Sequence, residues 1–222
     1  MTLENIKIII KDTLRLYKNN SFSQEGEDLI LHKIYPDKKD GFYIDVGAHH
    51  PFRFSNTYYF YRKGWRGVNI DAAPESMKKF KRYRQNDFNI ESAISDKKGK
   101  LTFYQFNDPA LNTFDSDLAK SRVGSKYYIA SETIIDTRTL REILDELDLP
   151  HIDFMSIDVE GFEMQVLKSN DWVKYRPDHL LIEYIASDLE TIYDTELFQF
   201  VKKLGYTLFA KTFNTLFFKR NE

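Results

Sequence analysis

Four short, apolar, β-prone stretches of this chain end on or beside an acid. They are Phe42-Tyr43-Ile44-Asp45-Val46, Gly67-Val68-Asn69-Ile70-Asp71, His151–Ile157 running into Asp158, and His179–Tyr184 carrying Glu183. Helical patterns separate them. Ser55–Arg62 reads as a helix or turn closed by Gly64, and Pro74 and Glu75 open a helix running to about Arg84. An apolar stripe of Phe162, Val166 and Leu167 follows Asp158, and Thr195–Leu204 is closed by Gly205. Strand and helix in alternation predict an α/β fold with a mainly parallel sheet. Ligands of such sheets bind outside the carboxyl ends of the strands. One acid there serves as well for a helix cap, but four at one edge are poorly explained by capping.

The remaining elements fit the same plan. Asn89–Ile94 is a third strand, followed by the turn Ser95–Gly99 and the alternating stretch Leu101–Phe106. Residues 107–128 read as irregular or partly helical. Ser131–Ile135 is a strand and Thr139–Leu147 a helix. Tyr206–Ala210 and Thr215–Lys219 form a terminal antiparallel pair. With 222 residues the chain is long enough for one continuous core. We read 23–222 as a single domain and 1–22 as an N-terminal amphipathic helix or arm. In that arm Ile6, Ile9, Ile10, Leu14 and Tyr17 fall near helical spacing, while Lys7, Lys11, Asp12 and Arg15 interrupt any signal-peptide core. It would pack on the domain or on a partner subunit, which leaves room for a homo-oligomer; loose membrane contact is the minor alternative.

Composition narrows the function classes. A net charge of −2 gives no bulk attraction to nucleic acid, and Lys78-Lys79-Phe80-Lys81-Arg82 reads as a solvated helix face. The absence of cysteine removes disulfides, thiolate zinc sites and cysteine nucleophiles, and is compatible with the cytoplasm. No run is long and apolar enough to span a bilayer.

The first strand runs into Gly47, Ala48, His49, His50 and Pro51. A dinucleotide site calls for G-x-G-x-x-G, whose glycines let backbone amides cradle a pyrophosphate. Here histidine and proline stand where the later glycines would be, so the ligand lacks a pyrophosphate. Gly47 still lets the backbone turn sharply and approach a ligand. Asp71, at the end of the second strand, is placed to accept hydrogen bonds from a ribose diol. A nucleoside held without phosphates points to S-adenosylmethionine, whose sulfonium favours a site edged by carboxylates.

Eight segments together resemble one family. They are SQEGED at 23–28, GFYIDVGAHHP at 41–51, SNTYYF at 55–60, GWRGVNIDAAPE at 64–75, ESAISDKKG at 91–99, ALNTF at 110–114, IDFMSIDVEGFEMQVLK at 152–168 and LLIE at 180–183. They resemble the FkbM family of S-adenosylmethionine-dependent methyltransferases over roughly residues 21–185, with SIDVEGFE the most specific piece. The resemblance implies a Rossmann-like class I methyltransferase fold and an O-methyltransferase whose acceptor is a small molecule or carbohydrate. It implies that Asp45, Gly47 and Ala48 hold the methionine part of the cofactor, Asp71 its ribose, and Ser92 and Ala93 its adenine. Asp71 departs from the glutamate of many members, keeping the carboxylate on a shorter arm.

Methyl transfer needs the acceptor oxygen held about 3 Å behind the methyl group, with its proton removed. Candidates for the base are His49, His50, Asp158 and Glu160. Asn112 and Thr113 lie in a lid candidate and suit hydroxyl groups of an acceptor. Asp158 and Glu183, on neighbouring strand ends, are the ligands for a divalent metal if one is used, though direct acid–base help is preferred. Two other readings stay open: an NAD(P)-dependent oxidoreductase or epimerase, which the missing glycines disfavour, and a noncatalytic cofactor-binding module.

Overall fold

The computed structural model describes residues 20–185 and 188–222. The proposed N-terminal arm falls on 1–22, so all but its last three residues lie outside the described residues. In chain order the elements are α1 (Glu27–Ile34), β1 (Phe42–Val46), α2 (Tyr58–Arg62), β2 (Arg66–Asp71), α3 (Met77–Tyr83), β3 (Phe88–Glu91), β4 (Ala93–Ile94), β5 (Gly99–Phe106), α4 (Ser116–Arg122), β6 (Ile129–Arg138), α5 (Leu140–Asp145), β7 (Phe154–Ile157), α6 (Glu163–Ser169), β8 (His179–Glu183), α7 (Glu196–Lys203), β9 (Tyr206–Lys211) and β10 (Thr215–Arg220). Short 3-10 turns occupy Pro109–Leu111 and Glu190–Asp194.

Seven strands form the main sheet in the order β3-β2-β1-β7-β8-β10-β9. The first five run parallel, and β10 and β9 close the edge antiparallel, as the sequence predicts. The strand order reverses between β1 and β7, which makes the carboxyl ends of these two strands the topological switch point.

The pleat sorts the side chains. Ile44, Val46, Met155, Ile157, Leu180 and Ile182 face α5, α6 and α7 through Leu140, Ile143, Leu144, Val166, Leu167 and Val201. Tyr43, Phe154, Leu181 and Phe217 face α1 and α2 through Leu31, Phe60 and Trp65. Both faces are covered, so the strands read as nearly continuous apolar runs.

Two findings modify the expected elements. The single strand at 89–94 is two strands in two sheets. β3 ends the main sheet, and β4 pairs with β6 in a three-stranded sheet of order β4-β6-β5. The break is Ser92, whose N–H donates to the Asp71 carbonyl (2.9 Å) and turns the chain off the main sheet. Helix α1 was not read from the sequence. Its N-terminal approach is fixed by the buried Asp28 carboxylate, which accepts from Ser21 Oγ, the Phe22 amide and Ser23 Oγ. Thr139 caps α5 in a reciprocal capping box with Glu142. No helix of the described residues is long and apolar enough to cross a membrane.

Candidate active site

A cleft of about 340 Å³ opens over the carboxyl ends of β1, β2 and β7. Its floor is the turn after β1, with Gly47, His49 and His50. One wall is the end of β2, Asp71 through Ser76, joined by Ser92 and Ile94. The opposite wall is Asp158, Val159, Glu160 and Phe162. The roof is the small sheet and its connection, through Phe103, Gln105, Phe106, Pro109, Ala110, Asn112 and Phe114, and Gln24 stands at the edge.

The turn is fixed from beneath. Gly47 has φ 86°, and a Cβ there would lie 1.6 Å from the Asp158 carbonyl oxygen. Glycine is therefore needed for the approach of one strand end to the next, over and above any approach of a ligand. The Asp158 amide donates to the Val46 carbonyl (2.9 Å), tying the same two loops together. His49 also sits in the left-handed region (φ 51°), an uncommon place for a residue with a Cβ. It is held there by its amide, which donates to Asp71 Oδ2 (2.9 Å), while Asp71 Oδ1 accepts from the Ala73 amide (2.8 Å). Asp71 thus organises the turn and presents a carboxylate to the cleft. Burial raises its pKa, and the two amides oppose that rise.

The histidines differ in freedom. His50 Nδ1 accepts from the amides of Phe52 (3.3 Å) and Arg53 (3.2 Å), so the ring caps its own loop. His49 stacks on Phe54 at 6.4 Å between centroids, and its Nε2 is buried without a hydrogen-bond partner. Burial lowers the pKa of both rings, helped by Arg53 at His49 and by Lys79 at His50. Both are therefore neutral near pH 7.

Across the cleft four carboxyl groups gather. Side-chain oxygens of Asp158, Glu160 and Glu183 lie within 4.8 Å of one another. Glu163 adds a fourth, its Oε1 accepting from the amides of Val159 (3.2 Å) and Gly161 (3.1 Å). Burial, then Glu183 and Glu160, pushes Asp158 well above the usual carboxylate range. Burial, then Glu160 and Glu163, pushes Glu183 to about 8, and Asp158 and Glu183 share a hydrogen bond. Glu163 rises to about 7, chiefly by burial. Among the described residues one cation faces this group: Arg122 of α4, paired with Glu160 Oε2. Burial still leaves Glu160 above its ordinary value against that pairing.

Arg122 also donates from Nη1 to the Leu111 carbonyl (2.9 Å), and Thr113 Oγ1 donates to the Glu160 carbonyl (2.6 Å). Segment 109–122 is thereby fastened to the left-handed Glu160 (φ 54°). The rings of Phe103, Phe114 and Phe162 continue the roof at 4.7 and 5.7 Å between centroids.

Of the residues singled out by sequence, Gly47, His49, His50, Asp71, Ser92, Asn112, Asp158 and Glu160 meet in this cleft. Others do not line it. The Asp45 carboxylate is buried and accepts from Thr57 Oγ1 (2.8 Å), which itself accepts from Arg84 Nη2 (3.0 Å). The reason is depth: Asp45 is level with Asn69 and Ser156, two residues short of the strand ends that carry Asp71 and Asp158. Ala48 packs on Met77 and Phe80. Ala93 is buried at the start of β4, and Thr113 is buried and spent on Glu160. Glu183 reaches the cleft only through Asp158. Arg122, Glu163, Gln24 and the phenylalanines of the roof were not picked out from the sequence. Glu163 left a signal there as the third acid of SIDVEGFE, and Gln24 and Phe114 lie in the segments SQEGED and ALNTF.

Comparison with known proteins agrees with this architecture. Methyltransferase FkbM from Methylobacillus flagellatus KT superposes with a TM-score of 0.52 at 13% identity, over 89% of this chain and 48% of that one. The chain thus spans about half the length of that protein. A TehB-like SAM-dependent methyltransferase from Corynebacterium glutamicum ATCC 13032 Kitasato gives 0.45 at 9% identity, over 98% and 97% of the two chains. The 1,6-didemethyltoxoflavin-N1-methyltransferase of Burkholderia thailandensis, solved with S-adenosylhomocysteine and 1,6-didemethyltoxoflavin, gives 0.45 at 12% identity, over 97% and 86%. No curated protein sequence matches the chain. The fold is the Rossmann-like α/β fold of class I methyltransferases. The Methyltransferase FkbM domain matches residues 45–208, and the chain belongs to that family.

Proposed function

We propose that the protein transfers a methyl group from S-adenosylmethionine to a hydroxyl of a carbohydrate or similar polar acceptor. The observation that carries this reading is one cleft joining the Gly47 turn, the Asp71 carboxylate and the Asp158 carboxyl group beneath a fastened roof. Asp71 receives the ribose, the turn receives the methionine portion, and Ser92 and Ile94 border the adenine. The acceptor enters between the roof and Glu160, where Asn112 offers its amide.

In the reaction the acceptor oxygen attacks the methyl carbon, the carbon–sulfur bond breaks, and its electron pair stays on sulfur as S-adenosylhomocysteine forms. The proton of the hydroxyl passes to the carboxyl pair Asp158/Glu183 in its singly protonated form, which keeps one carboxylate free to accept it. That pair is a stronger base than a solvated carboxylate because burial and mutual repulsion raise its affinity for a proton. His49, neutral and with a free buried Nε2, is the alternative acceptor. His50 is committed to its loop and Glu160 to Arg122.

A second reading of the same group is favoured by the 4.8 Å convergence of Asp158, Glu160 and Glu183. Three carboxylates are a hard oxygen donor set and fit a divalent cation such as Mg²⁺, which would polarise the acceptor hydroxyl. Calorimetric titration with S-adenosylhomocysteine, NAD and NADP tests the cofactor. Binding of a nicotinamide nucleotide with none of S-adenosylhomocysteine would overturn the proposal. A methyl-transfer assay over free and nucleotide-linked sugars, with and without EDTA, then addresses the acceptor and the cation. Activity abolished by EDTA and restored by Mg²⁺ would replace direct proton transfer with the cation reading.

A further inference from the structure

Gln24 lines the cleft, and two residues before it Phe22 lines a second depression on the outer side of α1 and α2. The rim between the two sites includes Phe22–Gln24, which spans at most about 7 Å of chain. The rim is held by Asp28, which accepts from Ser21, Phe22 and Ser23, and by the Phe22 carbonyl, which accepts from the Ser55 amide (2.9 Å). A row of rings runs alongside it: Phe22 to Tyr58 at 4.8 Å, Tyr58 to Phe52 at 5.2 Å, and Phe52 to His50 at 5.1 Å, where the cleft begins.

The second depression is basic. His32 and Lys33 come from the last turn of α1, Arg62 and Lys63 from the end of α2, and Phe22 and Tyr59 provide ring faces. No carboxylate among the described residues lines it. Among the described residues, no ion pair involves Lys33, Arg62 or Lys63. Instead Lys63 Nζ lies 3.2 Å from His32 Nδ1 and 4.7 Å from the Tyr59 ring centroid, and the Arg62 guanidinium is 5.5 Å from that of Phe22. Cations at helix C-termini are favoured by the macrodipole. That explains one basic residue per helix end, but not two such ends converging on one groove with aromatic faces between them.

We propose that this groove docks the diphosphate of a soluble nucleoside diphosphate sugar, whose sugar crosses the Phe22–Gln24 rim into the cleft. The proposal rests on the carbohydrate reading above and names the acceptor's chemical class. Three cations without an ion-pair partner among the described residues suit a ligand of two to three negative charges, with Arg62 offering a planar fork and the lysines point charges. Phe22 and Tyr59 suit a planar base beside the phosphates better than a flexible acyl chain. The missing glycines of the β1 turn agree with this division: the cofactor site has no pyrophosphate cradle, and the diphosphate is bound elsewhere.

The test is calorimetric titration of the full chain with UDP, with inorganic pyrophosphate and, in parallel, with S-adenosylhomocysteine. UDP should bind more tightly than pyrophosphate, and both should weaken as NaCl is raised. The double substitution Arg62→Ala/Lys63→Ala should weaken both about tenfold or more, with thermal unfolding and S-adenosylhomocysteine affinity unchanged. Lys33→Ala should weaken them less. The proposal is overturned if wild type binds neither anion, or if both variants bind UDP as wild type does. It is also overturned if phosphatidylglycerol vesicles bind through these residues while UDP does not, since the groove would then meet a membrane surface. Should UDP bind here and S-adenosylhomocysteine nowhere, the groove stands and the methyltransferase reading fails; the reverse result spares that reading and removes the groove.

Discussion

Two groups of buried charge sit on neighbouring strands, and they are built on opposite terms. Around β1 and β2, the fully buried Arg84 donates from Nε to Asp87 (3.0 Å), from Nη1 to the Pro51 carbonyl (3.0 Å), and from Nη2 to Tyr43 Oη (2.7 Å) and Thr57 Oγ1 (3.0 Å). Asp87 also accepts from Tyr43, from the Gly67 amide and from Asn69, and Thr57 passes a hydrogen bond on to Asp45. Around β7 and β8, by contrast, Asp158, Glu160, Glu163 and Glu183 face one guanidinium among the described residues, that of Arg122. The first group meets its own needs and touches no cleft. The second is short of positive charge and donors, and it forms a cleft wall. A buried charge matched from within serves the fold; one left unmatched beside an opening is held for a proton, a cation or a substrate.

The comparison is broken most directly at Arg84. Arg84→Met leaves Asp87 buried without its cation and should cost about 3–5 kcal/mol of stability, read by urea unfolding. A variant as stable as wild type would show that the Arg84 group does not hold the fold. Asp158→Asn should do the opposite. It removes a charge from a repelling set, so thermal stability should hold or rise, while methyl transfer falls by about 10²–10⁴ with S-adenosylhomocysteine affinity little changed. Loss of stability together with retained activity would exchange the two roles.

Asp71→Ala should weaken S-adenosylhomocysteine binding by about 1–3 kcal/mol. Because Asp71 also holds the His49 amide, hydrogen exchange at that amide should quicken in the same variant. Unaltered affinity in a folded variant removes Asp71 from the site.

The smallest expected effect is on stability against pH. Glu183, Glu163 and Asp45 have folded values raised to about 8, 7 and 6 from 4.5, 4.5 and 3.8. The folded state therefore binds more protons, and its stability declines as pH rises through that window. The contribution is complete below about pH 4 and lost by about pH 8. Melting temperature should be higher at pH 6 than at pH 8.5, and Glu183→Gln should flatten the slope. A slope of opposite sign would mean that the acids are already compensated.

The strands and their acids were legible because apolar runs and β-propensity are local properties. Which acids reach the cleft was less so. Asp71 is the last residue of β2 and Asp158 follows β7, while Asp45 precedes Val46 and is still governed by the pleat. Alternation puts Asp45, Asp71 and Asp158 on one face. Depth separates them, since Asp45 is level with Asn69 and Ser156, two residues before Asp71 and Asp158, and strand register is not a local property. Arg84 was hidden for a different reason. It ends a basic run that has the pattern of a solvated helix face, and only long-range packing on Tyr43 and Thr57 buries it. Helix α1 was missed because its apolar stretch is short and its start depends on hydrogen bonds to Asp28 instead of on a periodic pattern. The roof at 107–128 has little periodicity, and its shape comes from attachments at Glu160 and Leu111.

The contact between Gly47 and the Asp158 carbonyl has a consequence for redesign. With no room for even a methyl group between them, the Gly47 turn and the acid loop behave as one inherited part, and substitutions introduced into either must be accepted by both. The roof is a separable part, joined to that unit near Glu160 through a few side-chain bonds and one row of rings. Grafting a foreign segment across 107–128 while keeping Thr113 and Arg122 is therefore the economical route to a new acceptor. Random variation of the Gly47 turn should mostly yield chains that neither bind nor fold.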